Sequence, residues 1–246
     1  MFFVTVRYME VKPAILELYF EDIEARIEEI SQYLKLVQID MCDGDFVPSM
    51  TYAHAGNETA LEQILLLLVK HDLDVEYDLM VNFKDNPLYF ERWMQFITFS
   101  KPKRVIIHMD SMSEQQLKIV FDKIDERSTK IYLGLGLTQD ILEAEKLIAK
   151  HTFKGVQVMG IEKIGFSGEP FSPKTLVVLE RLSKKHPELH LMVDGGVSLD
   201  NAHDLALAGA DSVATNSSLF KSLDLPATIG DFLQIEAKGS SHNVYL

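Results

Sequence analysis

The sequence predicts an α/β protein, a (β/α)8 TIM barrel in a single domain, from three observations. Short β-rich runs alternate with amphipathic runs along the chain, and eight of the β-rich runs stand out. A barrel of roughly 250 residues uses about 30 residues per strand–helix unit, and this chain has 246. The competing architecture, an open doubly wound sheet, would place a G-x-G-x-x-G turn after a strand. Here Gly134-Leu-Gly136 has no third glycine at the right offset.

Taken in order, the expected strands are residues 11–16, 36–40, 73–81, 104–108, 130–135, 155–159, 189–194 and 212–214. Each is rich in Val, Ile, Leu, Met or Tyr and bounded by polar or turn residues. Between them lie expected helices at 23–34, 58–70, 87–99, 113–124, 139–150, 173–185 and 199–208. In the first of these, Ile23, Ile27, Ile30 and Leu34 recur near the 3.6-residue period, with Glu and Arg on the opposite face. Ser111-Met-Ser-Glu114, Ser172-Pro173 and Asp200 supply N-terminal caps. No linker or low-complexity tract divides the chain, so residues 1–236 read as the barrel. Residues 237–246, with Gly239-Ser-Ser, read as a flexible C-terminal tail.

Composition narrows the function classes. Hydrophobic residues make up 47% and charged residues 25%, as in an ordinary folded protein. Lys+Arg number 24 against 37 Asp+Glu, a net charge of −13, so no basic stripe serves nucleic acid or an anionic membrane. The longest apolar run, residues 64–69, is far short of a membrane span. Met1 to Arg7 lacks the basic start and cleavage site of a signal peptide. The lone Cys42 cannot form an internal disulfide, which suits a reducing, cytoplasmic setting.

In such a barrel the C-terminal ends of the strands carry the chemistry. That rule selects Asp40, Asp43, Asp78, His108, Met159 and Asp194. A carboxylate that ends an apolar strand is costly without a partner. Taken singly, each is as readily a helix cap or turn residue. Three together (Asp40, Asp78, Asp194) point instead to a hard cation or to an acid–base pair on two faces of a substrate. A second group consists of small residues after the last three strands: Gly165-Phe-Ser-Gly168, Gly195-Gly196 and Asn216-Ser217-Ser218. Turns of this kind let backbone N–H groups approach an anion, and barrel phosphate sites favour the loops after strands seven and eight. The bland alternative is three ordinary Gly/Ser turns.

The motifs then go beyond fold class. The run Val37-Gln-Ile-Asp-Met-Cys-Asp-Gly-Asp-Phe-Val-Pro48 resembles the H-I-D-x-M-D-G-x-F-V-P signature of ribulose-phosphate 3-epimerases. Pro13-Ala-Ile-Leu16 is similar to that family's P-S-I-L, Asp78-Leu-Met-Val81 to H-L-M-V, and Ile106-Ile-His-Met-Asp110 to I-T-V-H-x-E. Residues 158–168 resemble V-M-T-V-x-P-G-F-G-G. Val193-Asp-Gly-Gly-Val197, Ala208-Gly-Ala-Asp211 and Ser217-Ser-Leu-Phe220 resemble V-D-G-G-I, A-G-A-D and G-S-A-I-F. The resemblance covers about residues 9 to 222 and implies a ribulose-phosphate-binding barrel that inverts C3 of a ketose phosphate, D-ribulose 5-phosphate or a close relative.

By that resemblance Asp40 and Asp194 are the acid–base pair, and Gln38, Asp40, Asp78 and Asp194 occupy the positions of the metal ligands. Gly165, Phe166, Ser167, Gly168, Gly195, Gly196, Asn216 and Ser217 fall where the phosphate is held. The implied cofactor is one divalent metal ion (Mg, Mn, Zn, Fe or Co), and the implied partners are a small sugar phosphate and further copies of the chain. The family's two metal-binding histidines are replaced by Gln38 and Asp78, leaving only oxygen donors, which favours Mg²⁺ or Mn²⁺ or a site that works without metal. Ala14 replaces a serine, Lys163 is inserted, and Ser167 and Asn216 replace glycines. Two other readings stay open. One is a catalytically silent sugar-phosphate-binding barrel. The other is a Mg²⁺-dependent aldolase or decarboxylase of the same superfamily, whose D-x-K-x-x-D strand is not matched by Asp74-Val-Glu-Tyr-Asp78.

Overall fold

A computed structural model describes residues 7–52 and 58–237. Eight parallel strands close into a barrel in sequence order, β1 pairing with β8 to complete the ring. The strands are β1 (Glu10–Ile15), β2 (Leu36–Cys42), β3 (Asp74–Met80), β4 (Arg104–His108), β5 (Lys130–Leu135), β6 (Gly155–Met159), β7 (His190–Asp194) and β8 (Ser212–Thr215). Packed outside are α1 (Phe20–Ile30), α2 (Glu58–Lys70), α3 (Pro87–Ser100), α4 (Glu114–Lys123), α5 (Ile141–Lys150), α6 (Lys174–Lys185), α7 (Leu199–Ala208), the short α8 (Ser217–Phe220) and α9 (Leu225–Leu233).

The expected barrel is therefore present, and five of the expected elements match in their bounds. The first helix begins three residues earlier, at Phe20, and ends at Ile30 rather than residue 34. Leu34 is nevertheless buried in the core with Ile23, Ile27 and Ile30. The cap of α4 is Ser113, whose hydroxyl accepts from Gln116 N–H while Gln116 Oε1 accepts from Ser113 N–H at 2.8 Å. The start of α7 is capped by Ser198 with Asn201, so Asp200 lies in the first turn and is not the cap. Helix α6 begins after Pro173 without a side-chain cap.

Helix α9 has no counterpart among the expected helices. Asp224 caps it by accepting from Ala227 N–H at 3.0 Å, and Leu225, Ile229 and Phe232 are buried on one face. The chain then passes beneath the barrel, where Met9 N–H donates to Ile235 O at 2.8 Å and Ala237 N–H donates to Arg7 O at 2.8 Å. Ala237, expected to begin the tail, is buried; residues 238–246 and 1–6 lie outside the described residues. Among the described residues no helix is long and apolar enough to cross a membrane.

Apolar side chains between strands and helices form one large core; burying each contributes on the order of 1.5–3 kcal/mol. The barrel interior is different, because charged and polar side chains point into it. Toward the N-terminal ends of the strands, buried Lys12 pairs with buried Glu76 at 3.1 Å. Arg104 bridges Glu76 at 2.9 Å and Glu10 at 2.6 Å. Opposite charges placed this way compensate for the water they displace.

Burial by itself would push Glu10 up, but the Arg104 hydrogen bond and the charges of Lys12 and Arg104 overcome it and hold the carboxyl at about 2. A depressed carboxylate contributes stability above its ordinary value, 4.5, and loses it as pH falls toward 2. In urea denaturation, wild type is expected to exceed Glu10→Gln in stability most clearly above pH 4.5, with the gap closing toward pH 2. Because the Glu10 side chain is 40% exposed, the gap should also shrink with added salt. A gap independent of pH would show that Glu10 contributes by packing alone.

Gly134 of β5 lies against the imidazole of His108, where a Cβ would come within 2.8 Å of ring atoms. Gly134→Ala should therefore lower stability by about 1–3 kcal/mol by overpacking. A melting temperature equal to wild type would mean that the ring moves aside freely.

Candidate active site

Parallel register brings the strand-end carboxylates together. Asp40 pairs with Asp78 across β2 and β3, while Asp194 pairs with Met159 across β6 and β7. One carboxylate oxygen from each of Asp40, Asp78 and Asp194 lies within 4.8 Å of the others, and all three residues are buried. Three anions so close in low dielectric would repel strongly. Three side-chain nitrogens answer them. Gln38 Nε2 donates to Asp40 Oδ1 at 2.8 Å and to Asp194 Oδ2 at 3.2 Å. Gln157 Nε2 donates to Asp78 Oδ2 at 2.7 Å, and His108 Nε2 lies 2.7 Å from Asp78 Oδ1. Both oxygens of Asp78 are thus taken, whereas Asp40 Oδ2 and Asp194 Oδ1 accept no hydrogen bond from the described residues.

Desolvation, reinforced by the charges of Asp194 and Asp78, raises Asp40 well above the ordinary carboxylate range. Desolvation and the charge of Asp78 raise Asp194 to about 7. Both carboxyls therefore take up a proton more readily than an exposed aspartate does. One carboxyl can act as acid while the other acts as base, the division of labour that closely spaced carboxylates impose on each other.

All the residues expected at the phosphate position line one cavity at the barrel mouth, together with Asp40 and Asp194. These are Gly165, Phe166, Ser167 and Gly168 after β6, Gly195 and Gly196 after β7, and Asn216 and Ser217 after β8. Gln38 and Asp78 lie deeper and have no exposure. Lys163 is exposed and does not line this cavity. Asp43 instead organises the loop after β2, accepting from Asp45, Phe46 and Asn82 N–H at 2.9, 2.8 and 2.7 Å. Cys42 is buried and unpaired. A larger cavity of about 1080 Å³ between α3 and α4 lies outside the barrel, away from the carboxylates.

Gln157 is not among the residues that the sequence marks for the site, and His108 stands out there as a strand-end residue and as part of the motif Ile106-Ile-His-Met-Asp110, with no role attached to it. The available signal was register: Gln157 is a polar residue between Val156 and Val158 in a fully buried strand, so it must point into the barrel.

The three carboxylates could bind a metal ion. The chemistry of the donors fits, since all are hard oxygens, and the buried Gln38 Oε1 has no hydrogen-bond partner. That atom is on the same carboxamide whose nitrogen now faces Asp40 and Asp194, so turning the amide over would add a fourth oxygen.

Comparison with known proteins shows the family and the fold. The chain is 28% identical over 227 residues to ribulose-phosphate 3-epimerase of Helicobacter pylori (strain ATCC 700392 / 26695), a match covering 88% of this chain and 93% of that protein. It is 24% identical to the cytoplasmic isoform of the same enzyme from Oryza sativa subsp. japonica, covering 95% and 96%. Among solved structures, KGPDC from Streptococcus mutans superposes with TM-score 0.69 at 10% identity, covering 91% and 95%. The 3-hexulose-6-phosphate synthase of Salmonella typhimurium superposes with TM-score 0.67 at 15% identity, covering 92% and 98%. At those identities the structures share the fold. A sequence profile of one family spans residues 10–220, and this chain belongs to it: the ribulose-phosphate 3 epimerase family.

Proposed function

We propose that the protein is an epimerase that inverts C3 of a ketose phosphate, D-ribulose 5-phosphate or a close relative. The observation that carries this reading is the placement of Asp40 and Asp194 on one cavity at the barrel mouth, with the Gln38 amide donating to both, at 2.8 and 3.2 Å. Inversion next to a ketone needs a proton removed from one face of the carbon and another returned to the opposite face. Asp40 Oδ2 and Asp194 Oδ1 are the free oxygens for these transfers. Gln38, bonded to the other oxygen of each, keeps them turned toward the substrate. The phosphate would rest against Gly165–Gly168, Gly195–Gly196 and Asn216–Ser217.

A divalent ion would be held by Asp40, Asp78 and Asp194 with Gln38 beside them, Mg²⁺ or Mn²⁺ suiting these oxygen donors best. When bound it would supply positive charge to stabilise an enediolate. His108 and Gln157 fix the Asp78 carboxylate at both oxygens, so its orientation does not depend on the ion.

The reading is tested by following ribulose 5-phosphate in D₂O by NMR with the metal-stripped protein, then with Mg²⁺, Mn²⁺ and Zn²⁺ added. Deuterium at C3 together with xylulose 5-phosphate is expected. Binding without exchange under every metal would instead identify a silent sugar-phosphate-binding barrel. Asp40→Asn and Asp194→Asn should each lower turnover by about 10²–10⁴-fold, the usual contribution of a positioned acid or base, with the circular dichroism spectrum unchanged. A wild-type rate in either variant would remove that residue from the mechanism.

Metal preference is a separate matter. The double variant Gln38→His with Asp78→His should gain transition-metal content after purification, because imidazole is a better ligand for Zn²⁺ than an amide or carboxylate oxygen. Unchanged metal content would show that these positions do not face the ion.

A further inference from the structure

Two glutamines serve the carboxylates from opposite sides of the ring. Gln38 stands on β2 and Gln157 on β6, directly across a closed barrel of eight strands. Neither has any exposure. Gln38 donates its amide N–H groups to Asp40 and Asp194, and Gln157 donates to Asp78. On both amides the carbonyl oxygen is buried and has no hydrogen-bond partner among the described residues. A buried acceptor without a donor costs about 1–3 kcal/mol, and here that defect occurs twice around one acidic cluster. The ligand positions implied by the family motifs include Gln38 but not Gln157.

We infer that Gln157 is a metal ligand of this chain: as a divalent cation enters, its amide turns over, releases Asp78 Oδ2 and presents Oε1 to the ion. The inference rests on the reading that Asp40, Asp78 and Asp194 hold such an ion. Without the ion both oxygens of Asp78 are engaged, Oδ1 with His108 and Oδ2 with Gln157. An N–H aimed at a carboxylate repels a cation arriving at the same oxygen, so one partner has to give way. The two differ in freedom. The His108 ring lies against Gly134, where even a Cβ would come within 2.8 Å of it, and 5.8 Å from the Phe46 ring. Gln157 needs only a half-turn of its carboxamide, which exchanges a donor for a hard oxygen ligand. With Gln38 turned likewise, three carboxylates and two amides offer five oxygens. That is one short of an octahedral set for Mg²⁺ or Mn²⁺ and leaves a place for a sugar oxygen. Amide oxygens also add coordination without adding charge to a site that already holds three carboxylates.

The test uses the full chain with Mn²⁺ as the probe and glutamine labelled with ¹³C at the side-chain carbonyl. Pulsed electron–nuclear double resonance reads carbons whose oxygen binds the ion, in wild type, Gln157→Leu and Gln38→Leu, with folding checked by circular dichroism. Wild type is expected to show strong ¹³C coupling, and each variant should keep it at lower intensity because one amide remains. Mn²⁺ affinity of Gln157→Leu should fall at least about tenfold, the lower end of losses seen when groups around a metal are removed. Gln157→Glu, which keeps an oxygen at this position, should recover it. Wild-type coupling intensity in Gln157→Leu, or none in Gln38→Leu, would overturn the assignment. The Gln38→Leu arm decides even if Gln157→Leu does not fold, because Gln157 is then the glutamine left beside the carboxylates among the described residues. Absence of Mn²⁺ binding in wild type would overturn both the assignment and the metal reading. The epimerase reading would then stand or fall separately, on proton exchange by the metal-stripped protein.

Discussion

The confinement of Asp40, Asp78 and Asp194 to one buried spot is the constraint on which the rest of the site depends. Like charges at such separations disfavour full ionisation, and the protein has two ways to relieve them, protonation or a cation. Here the relief is built from side chains: Gln38 between two of the carboxylates, His108 and Gln157 on the third. The donors are unevenly shared. Asp78 is held at both oxygens, while Asp40 and Asp194 each keep one oxygen for the cavity. That asymmetry sets Asp78 apart from the two residues proposed for proton transfer.

The scaffold beneath explains how such a cluster is tolerated. Closure of eight strands leaves no sheet edge, and the helices cover the outer face with an apolar core. Inside the ring a second polar layer, Lys12, Glu76, Arg104 and Glu10, balances its own charges at the opposite end. Glu76 adds a negative charge below the site and contributes to raising both Asp40 and Asp194. The barrel interior is thus two electrostatic layers, the lower one neutralised by cations and the upper one held by hydrogen bonds with Gln38, Gln157 and His108.

The mouth shows a different balance. Glycines after β6 and β7 leave room for an anion, but Asn216 and Ser167 return side chains to that space. At these two positions, where the family motifs have glycine, the chain carries side chains that hydrogen-bond to each other.

Much of this was legible in the sequence, and for physical reasons. The eight strands, most helices and the three strand-end carboxylates follow from hydrophobic period and from the rule that barrel chemistry gathers at one end of the strands. Helix α9 carried its own signal, with Asp224 as cap and Leu225, Ile229 and Phe232 at helical spacing, but Pro226 and Gly230 obscured it. What the tertiary structure decided was partnership. Which oxygen of Asp78 meets His108, that Gln157 lies 79 positions away in sequence and 2.7 Å away in space, and that Ser167 reaches Asn216 are contacts between strand ends and loops remote in the chain. Local pattern specifies which face of a strand points inward; only closure of the ring sets which inward-facing residues meet, and pKa values, ligand capacity and access all depend on those meetings.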